Sequence, residues 1–443
     1  MTSPAAAILG DTSSLAAEVW RVLTLRAGIN TTTVLIGTTL LGIAGGVAGS
    51  FALLRKRALM SDALSHATLP GVALAFILAV VLGFEGRSLP WLLTGAALSG
   101  VLGVLTVHAI KRGTRLPEDA AIGAVLSVFF GAGIVLLSVI QTMQTGSQGG
   151  LKSFIYGQTA ALQFADAALL GAIALLVIIG AVALLKELAL ICFDDSFARV
   201  GGWPVDLLDA VIMAGVVLVT VAGLHAVGLI LVIAMLIVPA AAARLWTDRL
   251  RSMLLIAGVI GGVSGYLGSA VSAVLPRSPA GAVIVLTAGA IFLLSLIAAP
   301  RRGALAEAAR RWRIAVSVTR DHLLRDLLER GPDRAHSRRT ILRDLGNHPI
   351  IARLVLSSAL RRGLVVRDND ALRLTQRGLI EARRLERNHQ LWELYLITHA
   401  DVAASHVDWS ADAVEHVLSA ELVRELEREL ARAGVDPPRE HAA

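Results

Sequence analysis

The chain has 443 residues, 55% of them hydrophobic and 17% charged, with a formal net charge of +7. Its mean hydropathy of +0.69 excludes an ordinary soluble protein and points to one built in a membrane. The single cysteine, Cys192, excludes an internal disulfide and any multi-cysteine metal centre.

Charge divides the chain. Residues up to 300 are almost free of it between short basic clusters, whereas 301–443 are rich in Arg, Asp and Glu and hold no bilayer-length apolar run. The expected architecture is an all-α polytopic membrane domain over 1–300, a winged-helix domain over 301–387 and a helical dimerisation or metal-site segment over 388–443. The first ~28 residues lack the charged and apolar pattern of a cleavable signal peptide, so none is expected.

A spanning helix needs ~20 mostly apolar residues. Nine segments qualify: 32–54, 60–83, 90–110, 119–140, 164–185, 205–224, 226–246, 252–274 and 280–299. The run 205–246 is too long for one crossing and is divided at "GLHAVG". Alternate loops carry Arg55, Lys56 and Arg57, then Lys111, Arg112 and Arg115, then Lys186 and Arg199, then Arg244, Arg249 and Arg251. The opposite loops carry only Arg87, Lys152 and Arg277. Basic loops stay in the cytosol, so the N-terminus is expected outside and the C-terminal part inside. Small residues four apart, such as Gly42 with Gly46 and Gly261 with Gly265, prepare faces for close helix contact.

Early in the second segment stands "MSDALSHATLPG", residues 60–71. A helix puts Asp62 and His66 on one face, one turn apart. A carboxylate and an imidazole there suit a borderline divalent ion such as Mn²⁺, Fe²⁺ or Zn²⁺. The same residues also fit a helix start, with Ser61 or Asp62 as cap. Spacing alone leaves both readings open. Pro70–Gly71 is expected to interrupt the segment, which membrane depth tolerates only under protein cover or beside a cavity. His225, in "AGLHAVG", reads either as a second pathway ligand or as an interhelical hydrogen-bonding residue. His108, beside Lys111, reads as interfacial.

The stretch "CFDDSFARVGGWPVD", 192–206, is a short amphipathic element on the cytosolic side. It reads as a plain connector or as a small helix that docks a cytosolic partner. No Walker A pattern occurs in the chain, so ATP-driven work would need another polypeptide.

"MSDALSHATLPGVALAF", "FDDSFARVGG" and "VGLILVIAMLIVPAAAARL", followed by "GAVIVL", together resemble the permease subunits of bacterial manganese/zinc/iron-type metal ABC importers over about 30–299. The resemblance implies an all-α permease of the bacterial cytoplasmic membrane that works as a dimer with a second permease subunit, identical or homologous. It implies an extracytoplasmic metal-binding protein that delivers the ion and a cytosolic ATPase subunit that drives the cycle. On that pattern Asp62 and His66 lie on the metal path. Asp194, Asp195, Phe197, Ala198 and Gly201 fall in the cytosolic helix that receives the ATPase. The transported ion is expected to be manganese first, then zinc or iron, with no ATP site and no enzymatic activity in this chain.

Residues 301–387 hold 21 Arg against 10 Asp plus Glu, a balance of +11, whereas 388–443 hold 4 Arg against 11, a balance of −7. "SRRTILRDLG" and "HPIIARLVLSSALRRG" read as a helix-turn-helix, and "LVVRDNDALRLT" as a hairpin wing about Asn369–Asp370. With "RNHQLWELYL" and "DAVEHVLS" this part resembles the iron- and manganese-dependent repressors of the diphtheria-toxin-repressor type. The resemblance maps metal ligands onto His389, Asp412, Glu415 and His416, with Asp321 on the first helix. Leu324 stands where that family has a second acid, and Ile350 and Ile351 open the recognition helix, so DNA binding is doubtful. A basic face next to an anionic cytosolic leaflet has a sufficient partner in membrane lipid. The roles left open are sensing of cytosolic metal, dimerisation, and a membrane-tethered metal-responsive DNA-binding regulator.

Overall fold

A computed structural model describes residues 17–83, 89–143, 159, 162–275, 278–332, 334–345, 349–399 and 420–432. They form two compact units, Met1–Ala306 and Glu307–Ala443.

The described residues of the first unit form helices joined by turns, with no strand among them. Its long helices are α1 (Ile29–Leu54), α2 (Ala58–Val81), α3 (Leu89–Gly113), α4 (Glu118–Thr142) and α5 (Phe164–Ala183). Two short ones follow, α6 (Leu185–Phe193) and α7 (Asp195–Val200). Then come α8 (Val205–Val227), α9 (Leu229–Trp246), α10 (Leu250–Val274) and α11 (Ala280–Ala298). Eight of these are long and apolar enough to cross a membrane. The ninth expected span corresponds to α9, a shorter apolar helix. Its 18 residues reach about 27 Å at 1.5 Å per residue. The long run 205–246 does divide, at Gly228, whose φ of 87° ends α8 and starts α9.

Helix α1 is buried along most of its length, packed on α9 and α10. Lipid offers helices no hydrophobic drive to associate, so contact must come from close packing. Gly42 and Gly261 supply it. A Cβ on Gly42 would lie 2.1 Å from the Gly261 carbonyl oxygen, and one on Gly261 2.0 Å from that of Gly42. Beside them Thr38 Oγ1 lies 3.1 Å from the Gly265 carbonyl oxygen and 2.8 Å from Ser269 Oγ. Any side chain larger than hydrogen at Gly42 would drive the two helices apart.

Pro70 does not interrupt its segment, contrary to the expectation from sequence. Helix α2 runs through it. Proline in a helix costs mainly a lost N–H donor and a ring clash with the preceding turn. Here Gly133 of α4 leaves room for that face, since a Cβ there would lie 2.8 Å from Leu69 Cβ and 3.3 Å from Pro70 Cδ. Neighbouring helices also supply donors to this stretch: Ser99 Oγ donates to the Ala67 carbonyl at 2.6 Å.

The second unit takes up α12 (Ala304–Glu329), β1 (His336–Ser337), α13 (Arg338–Asp344), α14 (Pro349–Arg361), β2 (Val365–Asp368), β3 (Ala371–Leu374), α15 (Gln376–His399) and α16 (Ala420–Arg432). The strands form one antiparallel sheet in the order β1-β3-β2. Asn369, at φ 53°, turns the β2–β3 hairpin where the sequence placed it. Leu323, Leu324, Leu327, Ile341, Val355, Leu372 and Ala382 make the core. Leu324, which departs from the acidic pattern, is therefore a core residue: a carboxylate there would need a partner in an apolar centre. The expected turn at Gly346–Asn347 lies outside the described residues.

Candidate functional site

Asp62 and His66 meet as their spacing predicts. His66 Nε2 lies 3.5 Å from Asp62 Oδ1, and the two side chains are 21% and 35% exposed. The imidazole is held edge-on against Phe130 of α4, with ring centroids 4.8 Å apart. Its other nitrogen, Nδ1, is buried and has no hydrogen-bond partner among the described residues. Pro70, four residues on, has no N–H to give the His66 carbonyl, so that oxygen lacks its usual helical donor. Within one turn the chain gathers a carboxylate, an imidazole with an unused nitrogen and a carbonyl without its usual helical donor. Ser61 does not act as the expected cap: α2 begins earlier, at Ala58, and Arg57 precedes it. His225 is helical, near the C-terminal end of α8, and His108 lies in α3 one turn before Lys111.

On the other candidate element, Asp194 caps α7, its Oδ1 accepting from the Phe197 N–H at 2.8 Å. Ala198 faces inward and is fully buried, while Phe197 is 64% and Val200 90% exposed. Gly201 ends the helix, and its N–H bonds the Phe197 carbonyl at 2.9 Å. The short helix thus leaves an apolar edge in the open.

Reading Arg55 and Arg57 as markers of topology missed what they hold. Asp209, on the second turn of α8, is buried. Arg55 Nη2 donates to its Oδ2 at 2.9 Å, and Arg57 Nη2 lies 3.1 Å from the same oxygen. Arg55 Nη1 also donates to the Ile191 carbonyl at 2.6 Å and lies 3.8 Å from Asp195. The end of α1, the end of α6, the start of α7 and α8 are thus tied through one guanidinium. The available signal was Asp209 itself, a lone acid inside an apolar run that had to find a cation. Burial in the same place, against the charge of Arg55 and with that of Asp209, pushes the Cys192 thiol up to about 12.

In the second unit the described members of the expected sensor set are Asp321 and His389, and both are buried. Asp321 Oδ1 accepts from Arg320 Nε at 2.9 Å and Nη2 at 2.8 Å. His389 Nδ1 lies 3.2 Å from Arg325 Nη1. Each of the two meets a guanidinium, and at His389 it stands at a ring nitrogen that a metal would need. Asp412, Glu415 and His416 lie outside the described residues. Among the described residues no three His, Cys, Asp or Glu side chains gather as a metal centre.

Comparison with known proteins agrees with the membrane-unit geometry. The ABC 3 transport family matches residues 30–299. The chain belongs to that family. The permease is 46% identical over 301 residues to the manganese transport system membrane protein MntC of Bacillus subtilis, an alignment covering 68% of each chain. It is 43% identical over 285 residues to the zinc transport system membrane protein TroC of Treponema pallidum, covering 64% of this chain and 93% of that one. Among solved structures, PsaBC from Streptococcus pneumoniae in complex with Fab superposes with a TM-score of 0.55 at 32% identity, covering 65% of this chain and 97% of the other. Residues 375–441 match the iron dependent repressor, metal binding and dimerisation domain. The permease therefore carries a repressor-type domain after its membrane unit.

Proposed function

We propose that the chain is the permease subunit of an ATP-driven importer of divalent transition metal ions, manganese first and zinc or iron next. The observation that carries this is the Asp62–His66 pair on α2, with the imidazole Nδ1 left unused. A passing ion needs few ligands, each able to let go. An Asp/His pair with a nearby carbonyl supplies a borderline donor set of that kind without thiolates. The transport names of the Bacillus and Treponema relatives support the same substrate class.

The partners on this reading are a separate ATPase that docks on α7 through Phe197 and Val200, an extracytoplasmic metal-binding protein, and a second permease subunit, identical or homologous. The protein sits in the bacterial cytoplasmic membrane, multi-pass, with its C-terminal unit in the cytosol as a regulatory domain. The basic clusters on alternate loops support that orientation. The competing reading, a membrane-tethered DNA-binding regulator, is disfavoured by the surface of α14. Ile350 and Leu354 are 67% and 44% exposed where a recognition helix would present polar groups to base edges.

The test is uptake of manganese, zinc and iron by cells carrying the assembled importer. Asp62→Ala and His66→Ala should each abolish uptake while the chain still reaches the membrane and binds its ATPase. Normal uptake by both variants would remove the pair from the path.

A further inference from the structure

We propose that Arg325 is a built-in competitor for metal at His389, and that the C-terminal unit takes a divalent ion there only when this guanidinium is withdrawn. A guanidinium has N–H donors, no acceptor, and does not lose its proton in proteins. Its approach to 3.2 Å from His389 Nδ1 therefore requires that nitrogen to be the acceptor. The imidazole is then neutral with its proton on Nε2. Metal ligation needs a ring lone pair. The lone pair on Nδ1 is occupied by the arginine, and Nε2 carries the proton. Moving the proton to Nδ1 would free Nε2 but turn an N–H toward the N–H of Arg325, two donors facing each other. Neither nitrogen is open to a cation while Arg325 stays.

The arginine is well held. Its side chain is 12% exposed, its Nε donates to Glu386 Oε2 at 3.2 Å, and its Nη2 lies 3.7 Å from Glu329 Oε1. The second oxygen of Glu386 accepts from Gln390 Nε2 at 2.9 Å. The neighbouring arginine repeats the arrangement, with Arg320 on the buried carboxylate of Asp321. Where a metal-binding repressor domain would place one dication among acid and imidazole, α12 brings two guanidiniums. They match its charge, and Arg325 joins α12 to α15. Apparent metal affinity is then reduced by the small fraction of molecules in which Arg325 has left.

The proposal does not rest on transport, and the experiment removes the transport pair. Full-length chain carrying Asp62→Ala and His66→Ala is purified in detergent and titrated with Mn²⁺, free ion being read by electron paramagnetic resonance. Arg325→Met in that background should gain one Mn²⁺ site, roughly tenfold tighter or more than anything in the parent. His389→Ala should erase the gain, and Arg325→Lys, which keeps a cation, should show none. A parent that already binds Mn²⁺ through His389 as tightly as Arg325→Met would overturn the proposal, as would an Arg325→Met chain with no His389-dependent gain. Should Arg325→Met fail to fold, ¹⁵N-histidine spectra of the parent decide the matter. A neutral Nε2–H tautomer of His389, unbroadened by added Mn²⁺, supports the competitor. The other tautomer, or broadening by Mn²⁺, refutes it.

Discussion

The two histidines that carry the metal question sit in opposite settings. His66 faces a carboxylate and keeps a buried Nδ1 without a partner among the described residues, while His389 meets a half-buried arginine at the same atom. Arginines are not scarce in the membrane unit. Arg55 and Arg57 are spent together on Asp209, at the end of α1, and bind α7 into the fold. Under the proposed function and the inference above, the same two residue types, histidine and acid, would serve as a waypoint or a sealed contact according to where the nearest guanidinium is placed.

The largest effect should come from erasing that difference. Asp62→Arg copies onto α2 the arrangement found at His389. Metal uptake should fall to that of cells lacking the permease, with membrane insertion and ATPase binding retained. Uptake that survives would break the comparison at its functional end. Next in size is Asp209→Asn, which removes the buried carboxylate charge that two guanidiniums share. Breaking a buried pair from one side costs about 3–5 kcal/mol. The melting temperature in detergent should drop well below that of Asp206→Asn, a change at an exposed acid that pairs with Arg112 and Arg199. Equal drops would mean that Arg55 and Arg57 do not depend on Asp209.

A smaller loss is expected in the C-terminal unit from Gly378→Ala. A Cβ there would lie 1.9 Å from the Leu364 carbonyl oxygen, so α15 must shift against the start of β2. Overpacking of this kind costs about 1–3 kcal/mol, and it should leave uptake by the membrane unit the less affected of the two readouts. The smallest effect concerns Asp248, in the loop between α9 and α10. A hydrogen bond from Arg301, with the charges of Arg302 and Arg244, holds its carboxyl below the ordinary 3.8. A lowered folded-state pKa stabilises above the unfolded value, and that contribution is lost as pH falls through the folded one. Asp248→Asn should therefore slightly lower the melting temperature at neutral pH and flatten its fall on acidification, the two chains converging once the pH drops below the folded-state pKa.

Much of this protein could be read from its residues in order. The apolar lengths located the spans because a bilayer demands them, and the i, i+4 spacing of Asp62 and His66 set the pair on one face because helix geometry leaves no choice. The Asn369 turn and the split before α9 were equally local. What sequence alone could not deliver depends on contacts far apart in the chain. Pro70 stays helical because Gly133, on another helix, makes room for its ring. Asp209 finds Arg55 more than 150 positions away. Leu324 replaces an acid because it points into a core, and His389 meets a guanidinium from α12, 64 residues earlier. Periodicity determines which faces a segment offers. Only the folded chain decides which charge stands opposite each ligand, and that decides whether an imidazole can take a metal.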